Sequence, residues 1–272
     1  MACRHINSGY IEPDELEDFP PRIAVIDPIK MNESIKNVFA VIPARGGSTR
    51  IPHKNIKLIN GIPAIIYAIT TAYCTGIFKD IIVSTDDEEI VSIAKLCGKS
   101  VLVPFMRPPE LSDNYTPIAD VMKHAVEYLS EHGYDPDIVC CIYPVSPMMK
   151  MSDLKAGFEK ISNNPNLDYV FSAVKKDNRV ARAFTAPPVR MLREEFYATR
   201  SQDLPNVYRD AAMFYFGRAE AWVEKRMIFS NRSEIVEIPE ERGIDVDTLE
   251  DWDKMERTIC HKLPDAICKK PL

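Results

Sequence analysis

Between Asn37 and Gly61 the chain reads NVFAVIPARGGSTRIPHKNIKLING, in which Arg45, Arg50, His53, Lys54 and Lys57 follow a short apolar run without one carboxylate. No Asp or Glu occurs from Ser34 to Lys79, although the protein is acidic overall, with 34 Lys and Arg against 40 Asp and Glu and a net charge of -6. Gly46 and Gly47 let the backbone approach a ligand closely. The amides around them can line a concave nest for an anion, and Arg45, Arg50 and Lys54 would add charge-assisted hydrogen bonds. This is the composition of a phosphate cradle. It is neither G-x-x-x-x-G-K-[ST] nor G-x-G-x-x-G, and the same residues also suit a solvated basic turn.

A second constellation lies near the far end, in R-G-I-D-V-D-T-L-E-D-W. Asp245 and Asp247 are two apart, so on an extended segment both carboxylates share a face and can meet one hard cation. Mg²⁺ suits such a pair, because it takes oxygen ligands, keeps several waters and bridges to phosphates. The alternative is a helix start, with Asp247 or Thr248 as the cap and T-L-E-D as a capping box. That explains Asp247 or Thr248 but not Asp245. S-T-D-D-E-E, Ser84 to Glu89, is likewise open to two readings: a functional strand-end loop, or a helix N-terminus capped by Thr85 or Asp86.

These groups need a scaffold, and the apolar pattern supplies one. Strands are expected at Val38 to Ile42, Asp80 to Ser84, Ser100 to Val103, Ile138 to Tyr143 and Tyr169 to Val174, with amphipathic helices at Ala64 to Thr75, Glu88 to Cys97, Pro117 to Ser130 and Ser152 to Ser162. Alternation at this spacing predicts an α/β fold with a mostly parallel sheet and helices on both faces, whose ligands bind at the carboxyl ends of strands. The basic loop leaves such an end. The rhythm breaks over residues 175 to 212, a stretch of the kind that is usually functional or an interface. It resumes with strands at Ala212 to Phe216 and Ile235 to Ile238 and a last helix from Thr248 to Ile259. Residues 1 to 36, acidic and carrying Pro13, Pro20, Pro21 and Pro28, read as an extension with at most one short strand at Arg22 to Ile26, and residues 263 to 272 as a tail.

Composition excludes several classes. The negative balance argues against a general nucleic-acid binder, and no apolar run is long enough to span a membrane or laid out as a secretion signal. The seven cysteines form no C-x-x-C pair, so neither a disulfide framework nor a zinc knuckle is signalled, and a reducing cytoplasm is expected. Cys140 and Cys141 are adjacent in an apolar run and should pack on opposite faces of a strand.

The segment P-A-R-G-G-S-x-R-I-P-x-K-N resembles the opening motif of the cytidylyltransferases that activate nonulosonic acids, which turn CTP and a sugar acid into a CMP-sugar and pyrophosphate. The resemblance runs in order from Val38 to Arg257, and it implies a Rossmann-like nucleotide-diphospho-sugar transferase fold. It implies that Arg45, Ser48 and Lys54 hold the triphosphate along a loop that includes Ala44, Gly46 and Gly47, with Asn55 on the nucleotide. Most members carry a lysine where this chain has Thr49; S-T-R-[IL]-P occurs in the related enzyme for KDO, and Arg50 is the residue to supply the charge. R-P-P-E-L-S-D at Arg107 to Asp113 and Y-P-V-S-P at Tyr143 to Pro147 match successive strand-end loops, placing Arg107 on the nucleotide, Thr116 near the base and Tyr143 by the substrate. The D-x-D falls on Asp245 and Asp247 as the Mg²⁺ site.

R-S-Q-D-L-P-N-V-Y-R-D-A-A-M-F-Y-F-G, Arg200 to Gly217, is similar to R-S-Q-D-L-x-x-x-Y-x-D-A-G-Q-F-Y-W-G of pseudaminic acid cytidylyltransferases more than to the matching stretch of sialic-acid enzymes. It implies that Arg200, Gln202 and Asp210 serve the sugar acid, and that the excursion over 175 to 212 makes a homodimer. Ala212-Met213 stands where that family has Gly-Gln. The expected function is CMP transfer from CTP to a nonulosonic acid, pseudaminic acid first. Legionaminic acid, N-acetylneuraminic acid or KDO are the rival acceptors, and a nucleotide-binding homologue without turnover is the rival class.

Overall fold

The run VFAVIP forms β1 (Val38–Pro43), and its alternation places Val38, Ala40 and Ile42 in one apolar core and Phe39 and Val41 in another on the opposite face. Burial on both faces explains why the run is continuously apolar. The structure, a computed structural model, describes residues 37 to 261; the extension over 1 to 36, the strand expected at Arg22 to Ile26 and the tail over 263 to 272 lie outside the described residues. From β1 the chain continues through a small hairpin, β2 (Leu58–Ile59) and β3 (Ile62–Pro63), into α1 (Ala64–Thr75), β4 (Asp80–Ser84), α2 (Glu88–Lys95) and β5 (Val101–Leu102). Then come α3 (Ile118–Glu131), β6 (Ile138–Ile142), α4 (Met151–Asn163) and β7 (Tyr169–Lys176). The excursion holds only β8 (Phe184–Thr185), β9 (Arg190–Met191) and short 3-10 turns, before β10 (Val207–Arg218), α5 (Ala219–Val223), β11 (Ser233–Glu237) and α6 (Leu249–His261).

Seven strands form one sheet in the order β11-β7-β10-β6-β1-β4-β5. β1 is parallel to β4 and β6, β4 to β5 and β7 to β11, while β10 runs antiparallel to both its neighbours. The sheet is therefore parallel except for one strand. Ile90 and Ile93 of α2, Leu154 and Phe158 of α4 and Trp252 and Met255 of α6 pack with α1 in the core on one face. Met122 and Val126 of α3 and Trp222 of α5 fill the other. Cys140 and Cys141 are fully buried and fall in opposite cores, so both thiols are packing groups. Burial pushes both thiol pKa values up, which leaves them unreactive.

Chain connections leave β1 towards β4 on one side, while β6 lies on the other. The crevice beyond the carboxyl ends of β1 and β6 is the switch point where such sheets hold ligands. β10 begins five residues before the expected start, because Arg209 and Asp210 interrupt the apolar alternation; its pairing with β7 shifts register between Asp210 and Tyr215. No helix among the described residues is long and apolar enough to cross a membrane.

Candidate active site

A cavity of about 350 Å³ opens at this crevice. One wall is the loop after β1, where Ser48, Thr49, Arg50 and Lys54 line it beside Arg45. A second is the loop after β5, with Arg107, Asp113 and Thr116, and a third is the end of β6, with Tyr143 and Val145. Asp245 and Asp247 close it from the segment before α6. The two constellations, some two hundred residues apart in sequence, meet.

The loop is held by contacts that free its cations. Ala44 is buried and its N–H donates to Ser84 O at 2.9 Å, fastening the loop to β4. Asn55, only 7% exposed, donates from Nδ2 to Arg45 O at 2.8 Å, so its role in the structure is to set the loop, while it also lines the cavity. Gly46 N–H donates to Asp86 Oδ1 at 3.0 Å. A Cβ at Gly46 would come within 2.2 Å of Asp87 Oδ2, so this position takes no side chain, whereas Gly47 faces open space. Of the five basic residues, three face the cavity. His53 instead lies 4.0 Å from Glu89, and Lys57 sits 5.4 Å from the centre of the Trp252 ring.

Asp247 is where the two halves of the site touch. Arg50 Nη1 is 2.8 Å from Asp247 Oδ2 and Lys54 Nζ 3.8 Å from Oδ1. Burial lowers the Lys54 pKa, and the charges of Asp247 and Asp245 oppose that. The helix-start reading resolves cleanly: Thr248 N donates to Asp251 Oδ2 at 2.9 Å and Asp251 N to Thr248 Oγ1 at 3.1 Å. Thr248 and Asp251 form the capping box, so neither Asp245 nor Asp247 is needed as the cap. Both present hard oxygens to the cavity, and no group of three or more potential metal-ligating side chains exists among the described residues. Two carboxylates with room beside them fit Mg²⁺, which would take its other oxygens from substrate and water.

Arg107 is 5% exposed, and its Nε and Nη2 have no hydrogen-bond partner. Asp86 Oδ1 is 3.7 Å from Nη2, an ion-pair distance too long for a hydrogen bond. A buried guanidinium with unused donors on a cavity wall is a ready anion or carbonyl receptor. Asp86 does not cap α2, and neither does Thr85: Asp87 does, accepting from Glu89 N at 2.8 Å and Ile90 N at 3.3 Å. Asp86 faces back to steady the Gly46 amide and Arg107. Thr116 donates from Oγ1 to Asp113 Oδ1 at 2.7 Å, and this bond, with the Tyr115 and Thr116 amides, holds the Asp113 carboxyl below the usual range. Asp113 O in turn accepts from Arg45 Nη1 at 2.6 Å. Sequence reasoning overlooked Asp86 and Asp113 as organisers, because each works through a loop distant in the chain.

Arg200 and Gln202 do not line this cavity. Both are exposed on the excursion, and Arg200 Nε is 2.7 Å from Asp203 Oδ2. Asp210 does not line it either; Tyr215 donates its hydroxyl to Asp210 Oδ2 and Ala212 N donates to Oδ1 at 2.9 Å. Ala212, with φ of 50°, does reach the cavity wall.

With this geometry the kinship can be read. A family model described as Cytidylyltransferase matches residues 39–260. The chain belongs to the cytidylyltransferase family. Among curated proteins, the pseudaminic acid cytidylyltransferase of Campylobacter jejuni subsp. jejuni is 39% identical over 220 residues, 80% of this chain and 93% of that one. N-acylneuraminate cytidylyltransferase A of Danio rerio is 29% identical over 228 residues, 82% of this cytidylyltransferase and 51% of that protein. A solved structure of CMP:2-keto-3-deoxy-manno-octonic acid synthetase complexed with CTP superposes with a TM-score of 0.64 at 18% identity, covering 84% of this chain and all of that one. That likeness shows that this chain shares the fold of that synthetase.

Proposed function

We propose that the enzyme transfers CMP from CTP to pseudaminic acid, giving the CMP-sugar and pyrophosphate. The observation that carries this reading is the relative of that name, 39% identical along 80% of the chain; the cavity supports it with cations on one side and paired carboxylates on the other. In this reading the triphosphate lies along Arg45, Ser48, Arg50, Lys54 and the Gly46-Gly47 amides, and Arg107 and Thr116 receive the cytidine. Arg50 and Lys54 exchange Asp247 for phosphate oxygens as the nucleotide enters. Asp247, once released, and Asp245 are the residues that would hold Mg²⁺, whose charge would lower the repulsion between the incoming hydroxyl and the phosphate and stabilise the leaving pyrophosphate. The anomeric hydroxyl attacks the α-phosphorus, the bond to the bridging oxygen breaks, and the loop cations meet the charge that develops on pyrophosphate. Its free cysteines suit a reducing compartment, and the cytoplasm is where this reading puts it.

The purified protein with CTP, MgCl₂ and pseudaminic acid should release pyrophosphate, and should prefer that acid in competition with legionaminic acid, N-acetylneuraminic acid and KDO. Silence with every acid overturns the reading, and CTP binding without turnover would favour the inactive homologue. The same reading includes a homodimer built on the excursion, where Phe184, Val189, Leu192 and Tyr197 are all more than 60% exposed, an apolar surface that a monomer has no use for. It would carry Arg200 and Gln202 to a partner. Light scattering should return twice the chain mass of 30.9 kDa; a mass of one chain at assay concentration would remove the dimer.

A further inference from the structure

Among the described residues, five other than glycine adopt positive φ: His53, Asn60, Asp135, Ala212 and Lys225. Asn, Asp and His take that conformation more readily than other side chains do. Lys225 comes just after α5, where helices commonly close with one such residue. Ala212 has neither reason. It lies inside β10 with φ of 50°, and it is the one residue of the five that lines the cavity.

The conformation is held from several sides. Asp210 Oδ1 accepts the Ala212 N–H at 2.9 Å, and Oδ2 accepts the hydroxyl of Tyr215. Ser172 Oγ of β7 accepts from Met213 N at 3.2 Å and Phe214 N at 3.3 Å, and Met213 O accepts from Tyr143 N at 2.9 Å. The register shift between Asp210 and Tyr215 is thereby fixed to both neighbouring strands. Positive φ costs alanine more than glycine, and strain kept on a ligand wall points to a use for the side chain.

Position indicates the use. β10 adjoins β6 on the side away from β1, β4 and β5. In the reading above the nucleotide lies against the loops after β1 and β5, which leaves the acceptor the end of the cavity beside β6 and β10. Tyr143, Val145, Ala212 and Ile244 wall that end, next to Asp245. Apart from one phenol hydroxyl the wall is apolar. An acceptor hydroxyl turned towards it loses its water without gaining a partner, whereas a methyl buries apolar surface.

We propose that Ala212 is a specificity-determining residue, its methyl favouring sugar acids that present a methyl or acetamido group at this wall over acids that present hydroxyls. The inference rests on the reaction proposed above. Pseudaminic acid carries an acetamido group and a terminal methyl where N-acetylneuraminic acid carries hydroxyls, so the wall favours the first.

Ala212→Gly keeps the backbone conformation and deletes the methyl. It should raise the thermal midpoint by about 2–4 °C. It should also raise KM for pseudaminic acid about tenfold while KM for CTP stays within about twofold. With both acids at equal concentration, the ratio of CMP-pseudaminic acid to CMP-N-acetylneuraminic acid should fall about tenfold from its wild-type value. Ala212→Ser, which sets a hydroxyl in the wall, should lower the same ratio. A residue that served folding alone would move the midpoint and leave the ratio unchanged, and that result overturns the selection while the cytidylyltransferase reading stands. So does an equal rise in both KM values. A midpoint that falls in Ala212→Gly removes the strain from which the inference starts and overturns it too. A wild type inert towards every sugar acid overturns the reaction and the selection with it.

Discussion

Asp247→Asn is expected to lower turnover by about 10³-fold while the thermal midpoint moves by no more than a few degrees. The catalytic part follows from charge. The cavity gathers Arg45, Arg50, Lys54 and Arg107 against few carboxylates, and a metal-ion contribution of several kcal/mol to the transition state corresponds to roughly three powers of ten at about 1.4 kcal/mol each. The stability part follows from position. Thr248 and Asp251 cap α6 without help from Asp247, and the Arg50–Asp247 pair is exposed enough, at 68% and 42%, to contribute little to folding. Pyrophosphate release and a melting curve on the same preparation check both halves. A rate within about threefold of wild type, roughly 0.6 kcal/mol, would remove Asp247 from the chemistry and leave it as a surface partner of Arg50.

The sheet was legible because its strands are buried on both faces and read as unbroken apolar runs, and α1 could be placed to the residue because Pro63 and Gly76 bracket it. β10 was half hidden: the charges at Arg209 and Asp210 look like loop but sit in a strand whose bulge has a use for them. α5 escaped because five residues carry too little periodicity to register. At the site, the basic loop and the paired aspartates were visible in composition alone, and the fold brings them together through an Arg50–Asp247 contact. What composition could not show is direction. Nothing in the order of residues says that Lys57 turns to Trp252 and Lys54 to the cavity, since both sit on the same short loop and the choice is made by packing against α6. Arg200 and Gln202 came from resemblance only, and they do not line the cavity at the crevice.

Arg107→Met should split stability from binding, raising the first and weakening the second. The side chain is 3% exposed, and a buried cation whose Nε and Nη2 make no hydrogen bond carries a desolvation cost that the 3.7 Å ion pair with Asp86 offsets only in part. Burial already pulls its pKa down, with Asp86 opposing. Methionine fills similar space without a charge, and Asp86 keeps the Gly46 amide as a donor. A gain of about 1 kcal/mol, a few degrees in Tm for a chain of this size, is expected. Affinity for CTP should move the other way. Two charge-assisted hydrogen bonds at about 1.5–3 kcal/mol each amount to at least roughly 100-fold. Calorimetric titration with CTP and a thermal scan read the two effects separately, and the opposite signs make the result decisive. A guanidinium placed for packing would lose stability on substitution and leave CTP affinity untouched. One held in reserve for a ligand destabilises the empty protein, and its cost is recovered only when its donors find the nucleotide.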